Sequence, residues 1–120
     1  MQEEIKHEQD EERKAGIKMK MGHAYSNKGE YEEALREYEE CRKIQQVSLG
    51  KNHPDYATTL NNIGLIYDKM GRYEEALREY EECRKITEAS LGKNHPQYAS
   101  TLNNIGLIYD KMGKYEEALR

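Results

Sequence analysis

The sequence predicts an all-α solenoid, in which antiparallel helix pairs stack side by side at a period of 42 residues. Three observations predict it. The segment TLNNIGLIYDKMG stands at 59–71 and again, unchanged, at 101–113. The flanking text returns at the same offset, GEYEEALREYEECRKIQQVSLGKNHPDY (29–56) as GRYEEALREYEECRKITEASLGKNHPQY (71–98). Glycine and proline punctuate each copy twice, which divides it into two helix-length segments. A fixed period of this size marks a repeat array, whose units bury their apolar faces against their neighbours. Near-identity of the copies points to recent duplication or deliberate idealisation.

Bulk composition alone would suggest otherwise. Charged residues are 35% and hydrophobic ones 36%, and mean hydropathy is −1.13, which leans toward disorder. Only strict patterning builds a core from so few apolar residues. The expected division is an N-terminal helical extension over 1–14, repeat 1 over 15–56, repeat 2 over 57–98, and an incomplete repeat 3 over 99–120. Repeat 3 holds a first helix and the start of a second.

The elements follow in order. Nothing breaks a helix between Glu3 and Ala15, and Glu12 stands where later units have proline. One long helix therefore runs into the first repeat. In repeat 2 the first helix begins at Pro54, whose missing N–H costs nothing in a first turn. It runs through Tyr67 and stops at Gly71, which tolerates left-handed geometry. The second helix starts near Tyr73 and ends about Leu91, before Gly92 and the Lys93–Pro96 segment. Spans of about 16 and 19 residues are roughly 24 and 28 Å long.

The 3.6-residue period places Leu60, Ile63, Gly64 and Tyr67 on the inward face of the first helix. Gly64 sits mid-helix, where glycine costs about 1 kcal/mol against alanine. A close crossing opposite the small Ala76 would compensate. Tyr80, Cys83, Ile86 and Leu91 continue the buried line. Glu74, Glu75, Arg78, Glu81, Glu82 and Lys85 face water, with i, i+4 pairs Glu74–Arg78, Glu81–Lys85 and Arg84–Glu88.

These residues also carry a resemblance. Leu60, Ile63-Gly64, Tyr67, Gly71, Tyr73, Ala76, Tyr80 and Cys83 fall where tetratricopeptide repeats keep their large, small and aromatic residues. LGKNHPxYAxTLNNIGLIYDKMGxYEEA closely resembles the 42-residue repeats of kinesin light chains, and the likeness covers residues 15–120. It departs at Gly64 and Cys83, where the family commonly has alanine. The resemblance implies a right-handed solenoid whose first helices line a concave groove that holds an extended peptide.

On that basis the candidate groove residues are Thr58, Asn61, Asn62, Leu65, Asp68 and Lys69, with their copies Ser100, Asn103, Asn104, Leu107, Asp110 and Lys111. A carboxamide both donates and accepts, so Asn62 and Asn104 can pair with a peptide unit whatever its side chain. Leu65 and Leu107 would add apolar contact. Lys69 and Lys111 would attract acidic residues, tempered by Asp68 and Asp110. Asn61 and Asn103 fit better as rungs that bond across stacked units and fix their register. In repeat 1 Lys20 replaces Asn62 and Lys18 replaces Leu60, the polar substitution an end unit needs.

A second expectation concerns the other end. No cap follows repeat 3, as in a fragment of a longer array. Leu102, Ile105, Ile108, Tyr109, Tyr115 and Leu119 would lose cover there. Head-to-tail self-association, which need not close into a ring, is then the alternative to peptide binding.

Other chemistry is not expected. Net charge is −4 with signs interleaved, so no basic field draws nucleic acid or a membrane surface. No apolar run nears the roughly 20 residues of a membrane span. His53 and His95 recur in Asn-His-Pro without further ligands at metal spacing, and more simply hold the loop. Cys41 and Cys83, spaced 42 apart in matching contexts, are one repeated core position rather than a bridge, in keeping with a reducing, cytoplasmic compartment. No nucleophile–base set, phosphate loop or metal cluster appears, so neither catalysis nor a cofactor is expected.

Overall fold

In the computed structural model, residues 2–119 are described, with side chains other than those of Ile5 and 115–119. Five helices follow one another: α1 (Gln2–Asn27), α2 (Tyr31–Ser48), α3 (Pro54–Lys69), α4 (Tyr73–Ser90) and α5 (Pro96–Leu119). Each packs on its neighbours in the chain. The Cα radius of gyration is 15.7 Å and the extents are 62 × 34 × 18 Å. A compact domain of this length would have a radius near ~14 Å, so the shape is that of a short array rather than a closed bundle.

The ends of α2, α3 and α4 and the start of α5 are where the punctuation puts them. Pro54 and Pro96 open α3 and α5. His53 Nδ1 accepts from the Asp55 N–H at 3.1 Å, and His95 Nδ1 from the Gln97 N–H at 3.1 Å. The repeated histidines thus cap helix starts, each satisfying a donor with no partner inside the helix. At the close of α3, Gly71 has φ +77°, and the Arg72 N–H reaches back to the Tyr67 carbonyl at 2.8 Å.

α1 is one unbroken helix of 26 residues. At the other end α5 continues through Gly113, where a turn is expected. Gly71 turns because the following helix packs back on α3 and repays the turn. Among the described residues, a Cβ at Gly106 would meet nothing within 4 Å.

Three apolar clusters alternate along the stack. Tyr56, Ala57 and Leu60 of α3 meet Cys83 and Ile86 of α4. Ala34 and Tyr38 of α2 meet Ile63 and Ile66 of α3. Ala76 and Tyr80 of α4 meet Ile105 and Ile108 of α5. Each second helix is therefore shared by two first helices. The buried arc of α3 is correspondingly wider than the single stripe expected, and takes in Thr59, at 0% exposure, and Ile66, at 1%.

The compensation for Gly64 is closer than the expected crossing on Ala76. A Cβ there would lie 2.6 Å from Cε1 of Tyr80, and one on Gly22 would lie 2.4 Å from Cε1 of Tyr38. The aromatic ring, not the small residue, occupies the space a side chain would need. Both cysteines are free and buried. Cys41 Sγ lies 3.7 Å from Thr59 Oγ1, and Cys83 Sγ 3.6 Å from Thr101 Oγ1. Burial raises both thiols above their ordinary pKa, which makes them poor nucleophiles.

Of the expected surface pairs, Arg84–Glu88 forms at 3.5 Å. Glu74–Arg78 and Glu81–Lys85 are not among the ion pairs. Spacings of three prevail instead, as in Arg84–Glu81 at 3.0 Å and Arg72–Glu75. Lys18, standing at the Leu60 position of the end unit, reaches Glu37 at 3.2 Å and Glu40 at 2.6 Å on α2.

Candidate partner-binding surface

The first helices α1, α3 and α5 are joined by side-chain rungs, most of them between residues 43 apart. Asn62 Nδ2 lies 3.1 Å from Met19 Sδ. Asn104 Nδ2 donates to Asn61 Oδ1 at 3.1 Å. Lys69 Nζ donates to Ser26 Oγ at 3.5 Å. Lys111 Nζ donates to both carboxylate oxygens of Asp68, at 2.7 and 2.9 Å. Gln97 Nε2 adds a rung to Thr58 Oγ1 at 3.3 Å. The offset is one larger than the period because adjacent repeat positions face opposite neighbours: Asn61 and Asp68 reach the following unit, Asn62 and Lys69 the preceding one.

The rungs place the candidate groove residues in distinct settings. Asn61 and Asn104 are brought together, half-buried. Asn62 is half-buried against α1. Asn103, Thr58 and Ser100 are exposed. Leu65 is half-buried and packs on the Ala76–Tyr80–Ile105–Ile108 cluster, while Leu107 in the last unit is 49% exposed. Asp68 is taken by Lys111, and Asp110 pairs with Lys114 at 3.1 Å. Lys69 is exposed, 5.8 Å from the centroid of the Tyr31 ring. The sequence points to Asn61 and Asn103 as rungs; the bond formed joins Asn61 to Asn104, because the partner depends on the neighbouring helix.

The residues expected to mediate self-association also divide. Ile105 and Ile108 are buried within the chain, at 7% and 1% exposure, against α4. Leu102 and Tyr109 remain exposed at 44% and 58%. They flank Gly106, on the face that α4 covers in the preceding unit. The side chains of Tyr115 and Leu119 lie outside the described residues.

Among the described residues, no group of three or more histidine, cysteine or acidic side chains is placed to hold a metal, and no helix is long and apolar enough to cross a membrane. The titration shifts follow packing. Burial pushes the Tyr38 phenol up to about 12, while its hydroxyl lies 2.7 Å from His23 Nδ1. Burial likewise raises Tyr80 and raises Glu79, the latter against the opposing charge of Arg42.

The sequence profile of the tetratricopeptide repeat family matches residues 14–89 and 69–120. The crystal structure of BtubC (BKLC) from P. vanneervenii superposes with a TM-score of 0.77 at 26% identity, over 82% of this chain and 39% of that one. A kinesin-light-chain-like protein from P. anserina, built of nearly identical tetratricopeptide-like repeats, superposes with a TM-score of 0.74 at 23% identity, over 87% of this chain and 49% of that one. The chain thus spans less than half the length of either structure. No curated protein matches it in sequence. Tetratricopeptide repeats are a scaffold class for protein–protein interaction. With its helix pairs, its 42-residue period and its inter-unit rungs, this chain belongs to the tetratricopeptide repeat family, with repeats of the kinesin light chain type.

Proposed function

We propose that this chain is a non-catalytic scaffold that binds an extended protein segment along its first helices. The observation that carries the reading is the side-by-side alignment of α3 and α5 by their rungs. It leaves Leu107, 49% exposed, beside Asn103, Asn104 and Lys111 on one continuous face. Rungs that consume Asn61 and Asp68 internally keep the helices in register. Asn103, which is exposed, and Asn62 and Lys69, whose rungs to Met19 Sδ and to Ser26 Oγ at 3.5 Å are the weak ones, are then the groups offered to a partner. An amide that faces Met19 Sδ has only a weak acceptor, so exchanging it for a peptide carbonyl is favourable. A screen of extended peptides, followed by Asn62→Ala, tests this. Reduced affinity at an unchanged unfolding midpoint supports the reading; a lowered midpoint at unchanged affinity refutes it.

A second reading is head-to-tail self-association, supported by Leu102 and Tyr109 around the uncovered Gly106. At the opposite end, Ile17 and Met21 on α1 are 51% and 37% exposed. Sedimentation velocity across a concentration series tests it. Association that Leu102→Lys abolishes favours self-assembly, and a monomer at high micromolar concentration excludes it.

A further inference from the structure

Near the start of α3, the stack opens into a cleft of about 230 Å³. Ala15, Gly16 and Met19 of α1 and Leu49 at the end of α2 give it an apolar wall, and Glu12 and Asp55 also line it. The cleft traces to two differences between repeated positions. Gly16 stands where the next unit has Thr58, and Asp55 stands where the following unit has Gln97. Between α3 and α5, the Gln97 amide bonds to Thr58 at 3.3 Å and spans the gap. Between α1 and α3 that rung cannot form, because Gly16 has no side chain to receive it. A Cβ there would meet nothing within 4 Å.

We propose that this cleft takes the side chain of a lysine or arginine from the bound segment. The proposal rests on the groove reading and names the chemistry of its partner. A volume of about 230 Å³ is below the roughly 300–1,000 Å³ of sites that enclose whole small molecules, and suits one long side chain. The methylene stem of a basic residue lies on apolar groups while its head stays polar, and the wall offers both surfaces. No lysine or arginine lines the cleft, and the nearby Lys14 is paired with Glu11 at 3.2 Å. The start of α3 carries a partial positive charge of about half a unit, which the two carboxylates outweigh. Gln45, 7% exposed, also lines the cleft and accepts from Thr59 through Oε1. Its NH₂ is left to meet a backbone carbonyl of the segment.

The test uses the full chain, labelled with ¹⁵N and titrated with N-acetyl-arginine amide, N-acetyl-norleucine amide and N-acetyl-glutamate amide. The arginine probe is expected to shift the amides of Gly16, Leu49 and Thr58 most, norleucine less, and glutamate least. Glu12→Gln with Asp55→Asn should weaken the arginine probe by about tenfold, the combined size of two solvent-screened pairs. Gly16→Thr with Asp55→Gln rebuilds the rung of the next unit and should abolish the shifts with helicity unchanged. Equal response to arginine and glutamate overturns the proposal, as does silence at those amides or full binding by the rebuilt variant. None of these outcomes touches the groove reading, which stands or falls on Asn62→Ala with an extended peptide.

Discussion

Replacing Gly64 with alanine sets two terms against each other, and the structure says which is larger. Alanine is favoured over glycine in a helix interior by about 1 kcal/mol. Against this, the new Cβ would sit 2.6, 2.8 and 3.0 Å from three ring carbons of Tyr80, where carbon atoms prefer roughly 3.5–4.0 Å. The ring must retreat by about 1 Å. It is 1% exposed and packed on Ile105 and Ile108, so it has nowhere to go without displacing them. Overpacking of this kind costs roughly 1–3 kcal/mol, and a full ring shift belongs in the upper part of that range. The net expectation is a loss of about 1–2 kcal/mol. Gly106, one period later, has open space around its would-be Cβ, so Gly106→Ala should gain about 1 kcal/mol. Urea unfolding followed by helical circular dichroism measures both. The reasoning is refuted if Gly64→Ala matches or exceeds the parent in stability, or if the two substitutions act with the same sign.

Further expectations can be checked on the same material. Burial raises the Glu79 carboxyl above its ordinary 4.5, so the folded chain holds that proton to higher pH than the unfolded chain. Stability from this group is present below 4.5 and is lost as pH rises through the raised value; Glu79→Gln should therefore raise the unfolding midpoint at pH 7, with the difference closing in acid. Tyr38 is pushed up from 10 to about 12, so stability should fall as pH climbs through that interval, seen as alkaline unfolding that Tyr38→Phe shifts upward. The two buried thiols should react with a disulfide reagent only as fast as the chain opens, and urea should accelerate both. Rapid labelling of either in the native chain would contradict their burial.

Much of this architecture was legible in the residues because its devices are local. Proline and glycine act on their own backbone, so the limits of α2, α3 and α4 and the unbroken α1 follow from single positions. The repeat itself identified Cys41 and Cys83 as equivalent buried sites. What depends on a neighbouring unit was not legible. Helical periodicity reports one apolar stripe, but α3 lies between α2 and α4, so Thr59 and Ile66 are buried as well as Leu60 and Ile63. Leu65 reads as a groove residue, yet the next unit half-covers it, while its copy Leu107 stays open. Tyr80, rather than Ala76, fills the space at Gly64, because a side chain's reach is set by the packed helix pair and not by residue size.

In the candidate surface, sequence separated asparagine pairs from their surroundings but not their roles. Asn61 as a rung was expected, and it does bridge to Asn104 at 3.1 Å. That bond also engages Asn104, the residue expected to face a peptide, while Asn103 stands exposed. The asymmetry arises because neighbouring first helices meet at an offset of 43 rather than 42.

That offset gives the most direct measurement. Nuclear Overhauser contacts from the Met19 methyl to the Asn62 side chain, and from the Asn61 side chain to that of Asn104, would place first helices side by side in the stacked order. The account predicts these contacts between residues 43 apart. Their absence, with contacts instead between α1 and α5, would mean a closed bundle and would contradict the stacked array.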